Sequence, residues 1–283
     1  MPSGTAIFID TSIEIARLLR EPEMKKAIEQ RLASYDITVS SPVVIQEFKR
    51  RVITEAVYLI NLLNDPKKGS YEKVRRHVTN VLSVQWNRKR QICLGMLDEI
   101  FENKDDVELT ERAKRYLRTL TKFGISSLKR NIGHIVSGTG CYLSTYPVKE
   151  KKPYKYDLGN KRCSEVYSLC PVADFLKEKF ELCKQLLKSL SSLPNKTKEL
   201  ENACEFLQKF IVNPDIVHQK DPCLSVGDLL IALESYSIPN FYTMNYKESK
   251  VFCDILDQNL IIRPNNPNSS ETTYSNNSKP WSP

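Results

Sequence analysis

The sequence has no apolar run of 18 residues, and its start, Met-Pro-Ser-Gly, does not have the pattern of a signal peptide. We therefore expect no membrane span and a cytoplasmic location, or a nuclear one in a eukaryote. Histidine is scarce, with three in the chain. His77, His134 and His218 stand in no nucleophile-and-base pattern, so we assign them no catalytic role.

The chain also has no C-x2-C pair among its eight cysteines. Their irregular spacing, without a secretory signal, favours reduced thiols over disulfides. Cys163 and Cys170 form the one suggestive pair, but a structural zinc site is disfavoured because so few histidines are present. Cys183, Cys204 and Cys253 fall on apolar stripes of predicted helices, where cysteine acts as a small hydrophobic residue.

What is present is typical of a folded soluble protein. The 283 residues are 41% hydrophobic and 27% charged, which is enough to bury a sizeable core. Apolar runs of strand length alternate with helical patterns near both ends of the chain, over residues 5–53 and 228–262. This order predicts an α/β fold of three layers, α/β/α, around a central and mostly parallel sheet.

Four acidic residues lie at the edges of these predicted strands or in the helices beside them: Asp10, Glu47, Asp228 and Glu248. Asp10 directly follows the apolar run Ala6-Ile7-Phe8-Ile9. In an open α/β sheet the binding crevice lies outside the carboxyl ends of the parallel strands. The four carboxylates are therefore expected to form one cage.

Converging carboxylates repel one another and raise their own pKa values unless a cation neutralises them. Mg²⁺ or Mn²⁺ is the simplest such cation, because hard cations prefer oxygen ligands and Mg²⁺ combines a few carboxylates with water and substrate phosphate. The chemistry that this arrangement predicts is metal-assisted cleavage of a phosphodiester.

The chain resembles the PIN-domain nucleases in four motifs that occur in the family's order. The strand ending in Asp and Thr or Ser is matched by Phe8-Ile9-Asp10-Thr11-Ser12, and the helical Glu after the second strand by Glu47. The Asp that precedes a Leu-Ile-Ala helix is matched by residues 228–232. The family's Thr-x-Asn-x-x-Asp-Phe is matched at Thr243 and Asn245, but Glu248-Ser249 stands where the family has Asp-Phe.

The resemblance implies a role for each matched residue. Asp10 and Asp228 would ligate the principal metal ion, and Glu47 would ligate it or orient the attacking water. Glu248 would complete this site or a second, weaker one, although its extra methylene group changes its reach. Thr11 and Asn245 would orient the ligands by hydrogen bonding.

The resemblance covers only the two ends of the chain. Residues 1–53 are interpreted as the N-terminal part of a PIN core and 222–264 as its C-terminal part. Residues 54–221 are interpreted as a basic, mainly helical insertion, in which residues 124–162 read as a loop with short strands. Residues 265–283, which are mostly Asn, Ser, Thr and Pro, are expected to be a disordered tail.

The net charge of +8 comes largely from basic residues in and just before the insertion. A positive surface beside an acidic metal site holds a polyanion without repelling it. The predicted nucleic-acid contacts are Lys49, Arg50, Arg75, Arg76, Arg88, Lys89, Arg90, Lys129 and Arg130. Aromatic residues on which single-stranded bases can stack are interleaved with them: Trp86, Tyr142, Tyr146, Tyr154 and Tyr156.

Two functional hypotheses follow. The first is a Mg²⁺- or Mn²⁺-dependent endoribonuclease that acts on single-stranded or structured RNA, since the PIN resemblance implies RNA more often than DNA. The second is a catalytically weak or inactive nucleic-acid-binding subunit in a complex of the toxin–antitoxin or defence type, with a protein partner docked on the helical insertion. A homodimer is left open, because many PIN-like nucleases form dimers.

Overall fold

The computed structural model describes residues 5–67, 69–81, 87–101, 104–136, 138–140, 148–152, 155–158, 171–218, 226–264 and 269–275. The strands are β1 Ala6–Ile9, β2 Ile37–Ser40, β3 His134–Ile135, β4 Lys149–Lys152, β5 Lys155–Asp157, β6 Asn240–Thr243, β7 Asn259–Ile262 and β8 Thr272–Tyr274. Several residues singled out from the sequence lie outside the described residues: Trp86, Tyr142, Tyr146, Tyr154, Cys163 and Cys170.

A mostly parallel sheet forms the centre of the fold. Six strands follow the order β3-β2-β1-β6-β7-β8, and β4 pairs with β5 in a separate antiparallel hairpin. The first five strands of the sheet run parallel, and β8 is antiparallel to β7. The predicted α/β class with a mostly parallel central sheet is thus confirmed.

Helices surround this sheet. They are α1 Thr11–Leu19, α2 Pro22–Leu32, α3 Pro42–Phe48, α4 Thr54–Leu63, α5 Tyr71–Val81, α6 Asn87–Asp98, α7 Asp106–Arg130, α8 Val172–Glu178, α9 Phe180–Ser191, α10 Lys198–Val212, α11 Gly227–Ser235 and α12 Tyr246–Leu256. A π-helical turn, Lys49–Ile53, joins α3 to α4, and a 3₁₀ turn, Pro214–His218, follows α10. Within the described residues, no helix is long and apolar enough to cross a membrane.

Alternate side chains of β1 divide the core into two layers, as the period of a strand requires. Ile7 and Ile9 pack with residues of α1 and α2 on one face of the sheet. Phe8 points to the other face, where it stacks on Phe241 of β6 with ring centroids 5.4 Å apart. That second layer includes residues of α3 and of α8 to α12. Helices therefore cover both faces of the sheet.

Residues 54–221 take part in more than one layer. Helices α4 to α7 form a hydrophobic cluster with Ile45 and Phe48 of α3. Helices α9 and α10 pack instead in the cluster that contains Phe8 and Phe241 of the sheet. The segment interpreted as an insertion thus shares its hydrophobic contacts with the sheet and with α3.

Two features differ from the expectations. Residues 124–130 were expected in a loop, but they complete α7, whose apolar stripe continues through Gly124 and Leu128. The strands β3, β4 and β5 do occur in the remainder of that region, and β3 joins the main sheet beside β2. The predicted disordered tail is wrong for Thr272–Tyr274, which pair with β7.

Buried ion pairs explain why this polar segment is held. Glu271, just before β8, is 7% exposed and forms ion pairs with Arg31 and Arg263. Its Oε1 also accepts a hydrogen bond of 2.5 Å from the hydroxyl group of Tyr242. Charged groups therefore hold a strand that has almost no apolar residues.

Cys183, Cys204 and Cys253 are buried, as their places on apolar stripes predicted, and so is Cys93.

Candidate functional site

The four acidic residues Asp10, Glu47, Asp228 and Glu248 line one cavity of about 1020 Å³. Asp10 follows β1, Glu47 lies in α3, Asp228 lies in the first turn of α11, and Glu248 lies in the first turn of α12. Because β1 pairs in parallel with β6, the chain leaves both strands at the same edge of the sheet. Thr11 and Asn245 line the same cavity.

Asp10 is held by hydroxyl groups from both neighbouring strand ends. The residue is 9% exposed, and its Oδ2 accepts hydrogen bonds of 2.7 Å from Ser12 Oγ and from Thr243 Oγ1. Burial raises the pKa of Asp10, the charge of Glu47 raises it further, and the two hydroxyl groups oppose these effects. The position of Asp10 is therefore fixed by residues of β6 as well as by its own turn.

Glu47 is held from two sides. Its Oε2 accepts a hydrogen bond of 2.6 Å from Thr11 Oγ1, and its Oε1 forms an ion pair with Arg51, one turn further along the chain. Thr11 thus contacts a predicted ligand, as expected of an orienting group. The contact is to Glu47, although Thr11 adjoins Asp10 in the sequence.

Asp228 has the most clearly perturbed ionisation in the cavity. Its pKa is raised to about 7, first by burial and then by the charges of Asp10, Glu47 and Glu248, while Arg51 opposes the increase. Glu248 is itself buried, at 8% exposed. The four carboxylates are therefore close enough for each to influence the ionisation of Asp228.

Ser12 and Thr243 both contact Asp10, although the sequence suggested no role at the site for either residue. Both donate to Asp10, and Ser12 Oγ also accepts a hydrogen bond of 2.9 Å from the backbone of Met244. The backbone N–H of Asn245 donates to Thr243 Oγ1 at 2.9 Å. The signal was present, because both residues belong to the matched motifs, but their partners follow only from the pairing of β1 with β6.

The donor set has the chemistry of a site for Mg²⁺ or Mn²⁺, since it consists of hard carboxylate oxygens in partly buried positions. However, in the described ranges no three His, Cys, Asp or Glu residues form a group that could hold a metal ion. Asp10 and Glu47 direct oxygens to hydroxyl groups and to Arg51 instead. The arrangement fits an ion that takes one or two carboxylates directly and reaches the others through water, a common mode for Mg²⁺.

The residues predicted to contact nucleic acid differ in their exposure and in their ion pairs. Lys49 is only 6% exposed, because it lies on the buried side of the π-helical turn together with Val52 and Ile53. Lys89 forms an ion pair with Glu55 at 2.9 Å, and Arg75 pairs with Asp98 at 3.2 Å. Arg50, Arg76, Lys129 and Arg130 are exposed, and Arg90 is partly buried. Arg88 lines the carboxylate cavity together with Arg51.

Comparisons of the chain with protein-family models, with curated proteins and with solved structures found no match. The geometry and electrostatics of the cavity are therefore the basis for assigning a function to the chain.

Proposed function

We propose that this chain is a metal-dependent endonuclease of the PIN-like type, which hydrolyses phosphodiester bonds of single-stranded or structured RNA. One observation carries the proposal: Asp10, Glu47, Asp228 and Glu248, from four separate elements, line one cavity, where burial and the charges of the other three carboxylates raise the pKa of Asp228. Buried carboxylates that repel one another cost folding free energy. Such a cost is typical of sites that bind a cation.

The fold is consistent with this assignment. Asp10 follows β1, and Asp228 lies in the first turn of α11. Thr243 ends β6, and Glu248 lies in the helix after it. This is the order that the PIN resemblance implies. The parallel order β2-β1-β6-β7 places the ends of the two motif-bearing strands side by side. A PIN-like core therefore accounts for positions that are more than 200 residues apart in the chain.

The roles of the side chains follow from their contacts. A bound Mg²⁺ or Mn²⁺ would lower the pKa of a water molecule and neutralise charge on the phosphate. Asp10 and Asp228 would hold the ion, with Ser12 and Thr243 keeping Asp10 in place. Glu47, which is oriented by Thr11, would bind or orient the attacking water, and Glu248 would complete the acidic wall of the cavity.

The test is cleavage of labelled single-stranded RNA and of DNA of the same sequence, in Mn²⁺, Mg²⁺ or EDTA. We expect metal-dependent cleavage of RNA that is lost in Asp10→Asn and in Asp228→Asn. The matched control is Asp215→Asn, because this carboxylate is 74% exposed and lies outside the cavity. Equal cleavage by all four proteins, or cleavage that persists in EDTA, would contradict the proposal.

A second candidate function is favoured by the ion pair between Glu47 and Arg51. This pair withholds one predicted ligand from a metal ion and agrees with a catalytically weak subunit. Such a subunit would bind nucleic acid without cutting it, with a protein partner docked on residues 54–221. Salt-sensitive RNA binding by the wild-type protein, with no cleavage in either metal, would favour this second function over the first.

A further inference from the structure

Helix α6, from the segment interpreted as an insertion, forms one wall of the carboxylate cavity. Helix α1 of the core contributes residues to the same lining. The cavity residues from α6 are Arg88, Gln91, Ile92, Leu94, Gly95 and Asp98, and those from α1 include Ile15, Ala16 and Leu19. The space in front of the carboxylates is therefore bounded jointly by α1 and α6.

A glycine fixes the distance between these two helices. A Cβ atom on Gly95 would lie 3.2 Å from the Cβ of Leu19 and 3.3 Å from its backbone oxygen, which is tighter than ordinary van der Waals contact. The two helices therefore touch at Gly95. On the inner side of α6, Cys93, Met96 and Leu97 are fully buried. Helix α6 is thus anchored, and Arg88 at its start has a defined position in the cavity lining.

Arg88 differs from Arg51 in its contacts. Among the described residues its guanidinium group has no hydrogen bond and no ion pair, whereas Arg51 in the same cavity is paired with Glu47. Arg88 keeps access to solvent, yet partial desolvation and the charge of Arg51 lower its pKa, while Glu47, Asp10 and Asp228 act in the opposite direction. The two guanidinium groups repel each other, and an anion bound between them would relieve this repulsion.

We propose that Arg88 and Arg51 together bind a backbone phosphate of the substrate beside the four carboxylates, so that Arg88, from outside the resembling ends of the chain, completes the active site. This inference rests on the proposed nuclease function for its substrate. A guanidinium group presents a planar fork of donors that matches the oxygens of a phosphate. The four carboxylates would then hold the metal ion, and the two arginines would bind the polyanion.

The proposed substrate is an unpaired strand. The cavity has a volume of about 1020 Å³ and is lined by residues of both α1 and α6. A flexible single strand can place one of its phosphates in such a recess, whereas the phosphates of a duplex are held in a fixed array on its outer surface.

The experiment measures binding of a fluorescent single-stranded RNA to the full chain in EDTA, where no metal-dependent cleavage takes place. We expect Arg88→Ala to weaken binding about tenfold and to reduce the dependence of log K on log salt by about one unit. Arg88→Lys should retain part of the affinity, because it keeps the charge but loses the fork. The matched control is Arg115→Ala, an exposed arginine of α7 outside the cavity.

A separate readout distinguishes this inference from the proposed function. The increase in melting temperature on adding Mn²⁺ should be the same or larger in Arg88→Ala, because a positive charge has been removed from the cavity. Absence of this increase and of cleavage in the wild-type protein would contradict the nuclease, while the binding data would still decide the role of Arg88.

RNA affinity in Arg88→Ala and Arg88→Lys equal to that of the wild-type protein would overturn the inference. So would a duplex of the same sequence that binds as tightly as the single strand and depends equally on Arg88. Loss of affinity in Arg88→Ala with a normal melting temperature, and partial recovery in Arg88→Lys, would support it.

Discussion

Replacement of Asp228 by Asn should stabilise the protein in the absence of metal. The folded state holds the pKa of Asp228 at about 7, against an ordinary value of 3.8. A carboxyl group whose pKa is raised by folding favours the folded state in its protonated form. Its contribution is fully present below about pH 3.8 and is lost as the pH rises through about 7. Asn does not ionise, so the variant avoids this loss.

The magnitude follows from the difference between the two pKa values. The difference of 7 minus 3.8, or about 3 units, corresponds to at most about 4 kcal/mol above pH 7. Asp228 is partly exposed, and screening by solvent reduces the expected gain to about 1–3 kcal/mol. Loss of a negative charge from the first turn of α11 opposes this gain by only about 0.3–1 kcal/mol. A net stabilisation is therefore expected.

The assay is thermal or urea denaturation in EDTA at a series of pH values. Each kcal/mol shifts the melting temperature by about 2–4 °C for chains of this size class, so the shift near pH 8 should amount to several degrees and should shrink towards pH 4. Asp215→Asn, in an exposed ion pair, should change stability by less than about 0.5 kcal/mol. A variant no more stable than the wild-type protein near pH 8, or a gain that does not depend on pH, would refute the reasoning.

Three other predictions follow from the same contacts. Mn²⁺ should raise the melting temperature of the wild-type protein and EDTA should reverse the increase, whereas Asp10→Asn should respond less; an equal response would remove Asp10 from the metal site. Thr243→Val should lower the rate of cleavage and cost about 1 kcal/mol of stability, because Asp10 loses one of its donors, and unchanged kinetics would show that this donor does not position Asp10. Glu271→Ala should lower the free energy of unfolding in urea by about 3–5 kcal/mol, since it leaves Arg31 and buried Arg263 without their partner. A loss below about 0.5 kcal/mol would mean that β8 is held by its backbone pairing alone.

Local patterns in the sequence were sufficient for most of the helices and strands. The alternation of Ile7, Phe8 and Ile9 matches two faces of a buried strand, and Ser41 with Pro42 marks the start of α3, where the Ser41 hydroxyl accepts from the backbone of Val44 at 3.3 Å. Both signals act within a few residues, so they can be read from a single sequence.

The parts that sequence reasoning missed depend on distant partners. Short strands were expected within residues 124–162, but the place of the two-residue β3 in the main sheet depends on its pairing with β2, nearly 100 residues earlier in the chain. Strand β8 contains Thr272–Tyr274, a polar sequence that no hydrophobic pattern marks, and its neighbour Glu271 is held by Arg31, 240 positions away.

The candidate site shows the same division between local and distant information. The four acidic residues were recognisable from their motifs. The hydrogen bonds from Ser12 and Thr243 to Asp10 follow only from tertiary packing. The same is true of the place of Arg88 in the cavity lining.

The parallel pairing of β1 with β6 has a consequence for how the protein is made. Ile7 is paired with Asn240, and Asp10 accepts a hydrogen bond from the hydroxyl group of Thr243, 233 residues further along the chain. A nascent chain that has grown only to residue 227 therefore lacks Asp228, Thr243 and Glu248. The acidic cavity can assemble only after residues 228–248 have been added, so the two parts that form it are joined late, after all of residues 54–221 have been made.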